Sequence, residues 1–436
     1  MIRMVLSAIL VLATPCAHAQ TVDLPPVEDR LAAPPVTVAV IDSGLDWRHP
    51  GLGRSNLWRN AGETPDDGLD NDGNGYVDDV FGWNFLGADP RPYDRLGHGT
   101  FVAGQIVGRI DRSTQGVAPT ARIMPLKVIS DFGRFSDSVL AEAIRYAVDN
   151  GADIINLSLG GDIDLPRSAA AVTYAAAQDV VVIIAAGNQG MRLNGGLTGH
   201  PEAISVGAIG ETGRRAPYSN YGWDLDIVAP GTNVVGLRAR GSDFLAQMAR
   251  GDGSLYTSGS AISADNNRLY TASGTSFAAP FVAGAAALIR AHRPGLSAKR
   301  VRRMIVQSAR DVAAPGADQG TAYGRLDILG ALDADPNAYI DARIRSVAVA
   351  NSEDGPVLQI VGDAGSDALN AAWIDLAPGD GPETWPTRFP AKAGVNEILS
   401  QIPAQSLSGE TTWTLRLVVK RTDGRVRESR FVVRTQ

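Results

Sequence analysis

The stretch SGTSFAAPFVAGAAALIR, residues 273–290, decides how the rest of the chain is read. Its apolar run from Ala278 to Ile289 has the composition of a buried helix, and small residues such as Gly274, Ala279, Ala283 and Gly284 allow neighbouring elements to come close. A hydroxyl pair, Thr275 and Ser276, opens the run, and Pro280 follows. Proline is tolerated in a first helical turn, where its missing N–H has no partner to lose, so Pro280 predicts a helix starting near Thr275 or Ser276. Read locally, one of these hydroxyls is an N-cap. Read chemically, it is a nucleophile at a helix end whose N–H groups and dipole favour negative charge. The choice depends on whether a base lies elsewhere in the chain.

Upstream, apolar runs alternate with helical patterns from Pro35 to about Asp335. VTVAVID (36–42), ARIMPLKVI (121–129), ADIINLSL (152–159), DVVVIIAAG (179–187) and AISVGAIG (203–210) read as buried strands. SDSVLAEAIRYAVDNG (136–151) and PRSAAAVTYAAAQ (166–178) read as helices, the first with a Ser cap and a terminal Gly. Continuous apolar strands alternating with helices predict an α/β domain, residues 36–335, with a parallel sheet covered on both faces. Beyond it, RIRSVAVA, GPVLQIVG, AAWIDLAP, TTWTLRLVVKRT and VRESRFVVRT are short strand patterns separated by turns. They predict a small antiparallel β-sandwich over 336–436.

Active residues of α/β sheets collect at the carboxyl ends of strands. Asp42 closes VTVAVID and precedes Ser43-Gly44; in isolation it is equally an Asx-turn. Of the five histidines, His18 lies in the N-terminal leader, His49 and His200 precede prolines, and His292 closes the long helix, where a cation suits the dipole. His98, in GHGTFVAGQIVG, is flanked by glycines that let other groups close around the imidazole. Asn188 follows the strand DVVVIIAAG, as a turn residue or as an amide donor aimed at a developing oxyanion. A carboxylate, an imidazole, an amide and a hydroxyl at strand ends and helix starts supply the four roles of acyl transfer: orienter, base, oxyanion stabiliser and nucleophile.

VAVIDSGLD, GHGTFVAG, AAGNQG and SGTSFAAPFVAG, in that order, resemble the four signature segments of the subtilisin-like serine proteases (subtilases, peptidase family S8) across about 240 residues. The resemblance implies a subtilisin-like fold and a serine endopeptidase acting on protein or peptide substrates. It implies Ser276 as nucleophile, His98 as general base and then acid, Asp42 as its orienter, and Asn188 with the Ser276 N–H as the oxyanion hole. DFGRF (131–135), with Gly133, sits where family members add an edge strand that pairs with the substrate backbone. NLSLGG (156–161), with Ser158, Leu159 and Gly160, sits where they line the pocket for the residue before the scissile bond. A dedicated processing protease or transpeptidase is the alternative within the family. A catalytically silent scaffold with a binding C-terminal domain is the alternative from another class, and the intact quartet argues against it.

DDGLDNDGNGYVDDVFGWNF (66–85) follows the first nine positions of a calcium loop: Asp70, Asp72, Asn74, the sharp turn at Gly75, the Tyr76 carbonyl and Asp78. The twelfth position is Phe81 rather than Glu, so a bidentate ligand must come from elsewhere, with Asp79 a candidate. Structural Ca2+ is therefore expected, and similar inserts occur in some subtilases.

MIRMVLSAILVLATPCAHA (1–19) reads as a signal peptide, with Arg3, an apolar core and an A-x-A cleavage signal, and predicts a secreted or periplasmic protein. Cleavage would remove Cys16, the single cysteine, and leave no disulfide. Residues 20–35 are proline-rich and read as an extended lead-in, too short for the inhibitory propeptide most secreted subtilases carry. The formal charge of -7, without a long basic run, gives no support for nucleic-acid binding, and no later segment is apolar for long enough to span a membrane. Residues 232–270 form a Gly/Ser-rich insertion just before the nucleophile.

Overall fold

The computed structural model describes residues 23–109, 115–193, 195–242, 268–313 and 316–435. The leader 1–19 and most of the insertion, 243–267, lie outside the described residues. The chain divides into two compact units, the first comprising residues up to Ala313 with Asp318–Asp333, the second Ala314–Ala317 with Ala334–Gln436. The main division falls between Asp333 and Ala334.

The first unit is built on a seven-stranded sheet. In chain order its strands are β1 (Thr37–Asp42), β2 (Trp83–Asn84), β3 (Arg122–Lys127), β4 (Ile154–Leu157), β5 (Val181–Ala185), β6 (Ala203–Ile209) and β7 (Ile227–Pro230). They lie in the order β2-β3-β1-β4-β5-β6-β7, and every pairing is parallel. Successive residues of a strand face opposite sides, so the unbroken burial of β5 and β6 means that both faces are covered. One helix pair, His98–Val107 with Thr275–His292, packs together and onto the sheet; a second, Asp137–Asp149 with Pro166–Ala177, packs against β1, β3 and β5. The small residues of the long helix are used as expected: a Cβ on Gly284 would lie 2.5 Å from the Val117 Cβ.

Three local expectations change. Pro280 is the sixth residue of the helix Thr275–His292, beyond the first turn. Its missing N–H would otherwise bond the Ser276 carbonyl, and that carbonyl instead accepts from the Ser158 hydroxyl at 2.7 Å. Residues 27–32, expected as extended, form a short helix (Val27–Ala32) with acidic Glu28 and Asp29 in its first turn. Buried Arg30 ties it down by donating to the Gly116 carbonyl at 2.7 Å, a long-range contact that no local pattern reveals. The described ends of the 232–270 insertion form an antiparallel pair, β8 (Val234–Leu237) with β9 (Leu269–Ala272).

The second unit has strands β10 (Ile340–Ser352), β11 (Gly355–Ser366), β12 (Leu369–Pro378), β13 (Thr387–Pro390), β14 (Gly394–Pro403), β15 (Thr412–Arg421) and β16 (Val426–Arg434). They form antiparallel sheets ordered β10-β11-β14 and β13-β12-β15-β16. Ile360 and Leu399 of the one share a core with Ile374, Leu415 and Leu417 of the other, which makes the unit a sandwich.

Candidate active site

Asp42 is the last residue of β1, His98 the first of the helix His98–Val107, Asn188 follows β5, and Ser276 is the second residue of the helix Thr275–His292. All four are buried. A parallel sheet puts the carboxyl ends of β1 and β5 on the same edge, which brings residues far apart in sequence to one place.

His98 Nδ1 lies 2.8 Å from Asp42 Oδ1 and 3.0 Å from Oδ2. A carboxylate only accepts, so Nδ1 carries the proton and Nε2 is the basic nitrogen of the neutral ring. Burial alone would lower the His98 pKa; the charge and hydrogen bond of Asp42, with the charge of Asp94, outweigh it and raise the pKa above 6.5. Gly97, at φ 103°, makes the turn into the helix. A Cβ on Gly99 would lie 2.3 Å from the Gly44 carbonyl oxygen, so only glycine lets the helix sit this close to the loop after Asp42.

The Ser276 hydroxyl donates to the Ser158 carbonyl at 2.9 Å, while the Ser158 hydroxyl donates to the Ser276 carbonyl and accepts from Asn156 Nδ2 at 2.9 Å. The two serines are thereby clamped together. Phe277, the next residue, places its ring 5.4 Å from the His98 imidazole, so the start of this helix lies against the histidine. Thr275 is engaged differently: its hydroxyl accepts from Gly187 N–H and donates to Asn188 Oδ1, and its N–H donates to the same oxygen at 2.8 Å. With Oδ1 taken by two donors, the Asn188 amide has a fixed orientation, and its NH2 is the end offered to the site.

Asp94 and Lys127 are not among the candidates marked by the sequence pattern, and Thr275, marked there as a cap or nucleophile candidate, proves to be the residue that orients Asn188. Asp94 is fully buried and accepts from the Ser43 and Thr100 hydroxyls and from the N–H groups of Gly97 and Thr100. It fastens the loop after Asp42 to the helix that starts at His98. Burial raises its pKa against the lowering effect of those donors. Lys127, also buried, donates to the Ser43 carbonyl at 2.7 Å and to Asp131 at 3.0 Å. Asp94 and Gly97, three residues apart before a small-residue helix, were the one available sign of a cap.

Of the expected substrate-contacting residues, Ser158 and Leu159 are buried at the end of β4, and Gly160 follows them. Residues 131–135, expected as an edge strand, form a turn closed by Ser130 N–H to the Arg134 carbonyl at 2.9 Å, with Gly133 at φ 71°.

Part of the acidic loop converges with a carboxylate that lies outside its spacing pattern. Asp70 accepts from the N–H groups of Gly73, Asn74 and Gly75, Asp78 from those of Asp67 and Gly68, and Glu63 from those of Asn71, Asp72 and Asp78, so all three carboxylates hold turns of the loop. Tyr76 packs edge-on against Trp83 and Tyr146. The carboxylates that converge are Glu63, Asp72 and Asp79, with one oxygen of each within 4.8 Å of the others. Asn74 Nδ2 reaches both Asp72 and Asp79. Asp79 also accepts from the Tyr146 hydroxyl, whose pKa is raised by burial and by the Asp79 charge. Glu63 lies outside the loop pattern, and no spacing rule could have found it.

The family model described as the subtilase family matches residues 34–324. The chain is 33% identical over 297 residues to the thermophilic serine proteinase of Bacillus sp. (strain AK1), a match covering 68% of this chain and 61% of that protein. It is 35% identical over 236 residues to subtilisin DY of Bacillus licheniformis, covering 53% of this chain and 76% of that one. Among solved structures, a lanthipeptide protease superposes with a TM-score of 0.53 at 28% identity, covering 69% of this chain and 88% of its own.

Proposed function

The chain belongs to the subtilase family, and from that premise we propose that it is an exported serine endopeptidase that cleaves peptide bonds through an acyl-enzyme. The observation that carries the proposal is the buried Asp42–His98 pair, its proton fixed on Nδ1, lying against the start of the helix that bears Ser276. Ser276 Oγ is the nucleophile, and His98 Nε2 takes its proton as the bond to the substrate carbonyl carbon forms. The imidazolium is stabilised by Asp42 and then protonates the leaving amine. Water attacks the ester by the same steps in reverse. Negative charge on the substrate oxygen is met by the Asn188 NH2, held in place through Thr275, and by the Ser276 N–H; one such side-chain donor is worth about 3–4 kcal/mol. Gly133 lies in the segment that meets the substrate backbone, and Ser158, Leu159 and Gly160 line the pocket for the residue before the scissile bond.

A calcium ion is part of this reading. Three carboxylates of which Glu63 and Asp79 are buried form an oxygen donor set of the kind hard cations take. Glu63, Asp72 and Asp79 would hold the ion, which would supply the charge that makes their convergence stable. The A-x-A signal at 17–19 supports export, and no helix among the described residues is long and apolar enough to cross a membrane. A dedicated processing protease is the second reading, favoured by the similarity to the lanthipeptide protease; cleavage of few members of a peptide library would select it.

The test is fluorophosphonate labelling of the purified protein with calcium, mapped by mass spectrometry. Label on Ser276 that disappears in Ser276→Ala is expected. A folded, calcium-loaded protein that takes no label overturns the proposal.

A further inference from the structure

A cleft of about 870 Å³ lies beside the site, and neither the catalytic residues nor the expected substrate-contacting residues line it. Its walls include Trp47 and Phe81, whose rings meet at 4.9 Å, and four exposed arginines, Arg48, Arg54, Arg59 and Arg91. None of the four has an ion-pair partner among the described residues, and what sets them apart from other unpaired arginines of the unit, such as Arg95 and Arg122, is that they line one opening. In a chain with a formal charge of -7, four arginines around one opening are a local feature and no reflection of overall basicity. Asp66 and Asp78 also line the cleft, the latter accepting from the Asp67 and Gly68 N–H groups, so the four guanidinium groups outnumber two carboxylates.

The position of the cleft links it to catalysis. Trp47 lies five residues after Asp42 and Arg91 seven before His98. The two loops run side by side, with Leu45 N–H donating to the Pro92 carbonyl at 2.8 Å and Trp47 packed edge-on against Tyr93 at 5.4 Å. The segment that follows Asp42 and the segment that precedes His98 thus form walls of the cleft.

We propose that this cleft is a second recognition site for the substrate chain, which takes an acidic segment of the polypeptide outside the bond being cut. Its volume exceeds that of a small inorganic anion and accommodates several residues. Arginine fits a carboxylate bidentately, and the aromatic wall gives an apolar side chain a surface to cover. Its effect is to raise kcat/KM for proteins carrying such a segment, through capture and orientation, while leaving the chemistry of a short peptide untouched.

The inference rests on the endopeptidase reading, and its test separates the two. Three quenched fluorescent peptides share one cleavable core: the core alone, the core with a Glu/Asp-rich extension at either end, and the core with Gln/Asn extensions of the same length. They are assayed with the wild-type chain and with Arg48→Gln/Arg59→Gln/Arg91→Gln. The expected result is kcat/KM about tenfold higher for an acidic extension than for its neutral counterpart, as several exposed ion pairs acting together would give. That advantage disappears in the triple variant and at high salt, while the core alone is cut equally by both proteins. Equal kcat/KM for acidic and neutral extensions overturns the proposal, as does an advantage that survives in the triple variant. If no peptide is cut, the endopeptidase reading fails instead. The cleft is then judged by fluorescence anisotropy of the labelled acidic peptide on Ser276→Ala: salt-sensitive binding that the three substitutions remove supports it, and no binding overturns it.

Discussion

Asp42 in the first unit and Asp375 in the second are both fully buried carboxylates, and their partners make them different things. Asp375 stands on β12 directly opposite Arg388 of β13 and Arg416 of β15. It accepts from Arg388 Nε at 2.7 Å, Arg416 Nη2 at 2.6 Å and the Trp373 indole at 3.0 Å. Burial would raise its pKa, and the hydrogen bonds from Arg388, Arg416 and Trp373 outweigh that and lower it. Both cations are permanent, so this cluster exchanges no proton and works as a cross-strand clasp. Asp42 faces an imidazole, a partner that can gain and lose a proton near neutral pH. Burial of charge is common to both. The capacity to do acid–base chemistry comes from the partner alone.

The largest expected effect breaks the functional side of this contrast. Asp42→Asn keeps the packing but loses the acceptor that fixes the His98 tautomer, and kcat falls about 10⁴-fold with the circular dichroism spectrum unchanged. Asp375→Asn has the opposite signature. It leaves two guanidinium groups beside a neutral amide and lowers stability by about 3 kcal/mol in urea unfolding, with kcat/KM on a short peptide unchanged. An activity loss like that of Asp42→Asn would erase the distinction.

Next in size is the Glu63, Asp72 and Asp79 group, whose partner is proposed to be an ion. Chelation lowers stability by about 2.7 kcal/mol relative to calcium at a hundred times its dissociation constant. It should lower the Tm of the wild-type chain and leave that of Glu63→Gln almost unmoved, as read by calorimetry.

The smallest effect concerns pH. His98 must be neutral to act as a base and its pKa is raised, so the acid limb of kcat/KM lies above pH 6.5. Asp94→Asn removes one of the charges that raise it and moves the limb to lower pH. The stability contributions run in opposite directions. That of the His98–Asp42 pair is full below pH 6.5 and is lost as pH rises through the raised His98 pKa. That of Asp375 is present above its ordinary value of 3.8 and is lost as pH falls through the lowered one.

Most of the parallel sheet was legible because its strands are short apolar runs between turn residues, and the expected runs 36–42 and 203–210 contain β1 and β6 almost end to end. The two-residue β2, and the helix 27–32 held by Arg30, were not legible, because long-range contacts rather than local pattern hold them. At the site, Asp42, His98, Asn188 and Ser276 stood out through their neighbours: glycines that permit tight turns and strand ends that point to one edge. Glu63, and the role of Thr275 in orienting Asn188, carry no such signal, since each matters through what lies near it in space.

The α/β alternation, the β-sandwich pattern and the residue types required for acyl transfer follow from the amino-acid order, because periodicity and turn chemistry are local properties of the chain. Packing settled that Pro280 frees the Ser276 carbonyl for Ser158, that Thr275 orients Asn188, and that Glu63 converges with Asp72 and Asp79. Those outcomes depend on which lone pairs and N–H groups are left over once the helices and strands have satisfied their own, and that remainder is settled only when distant segments pack together.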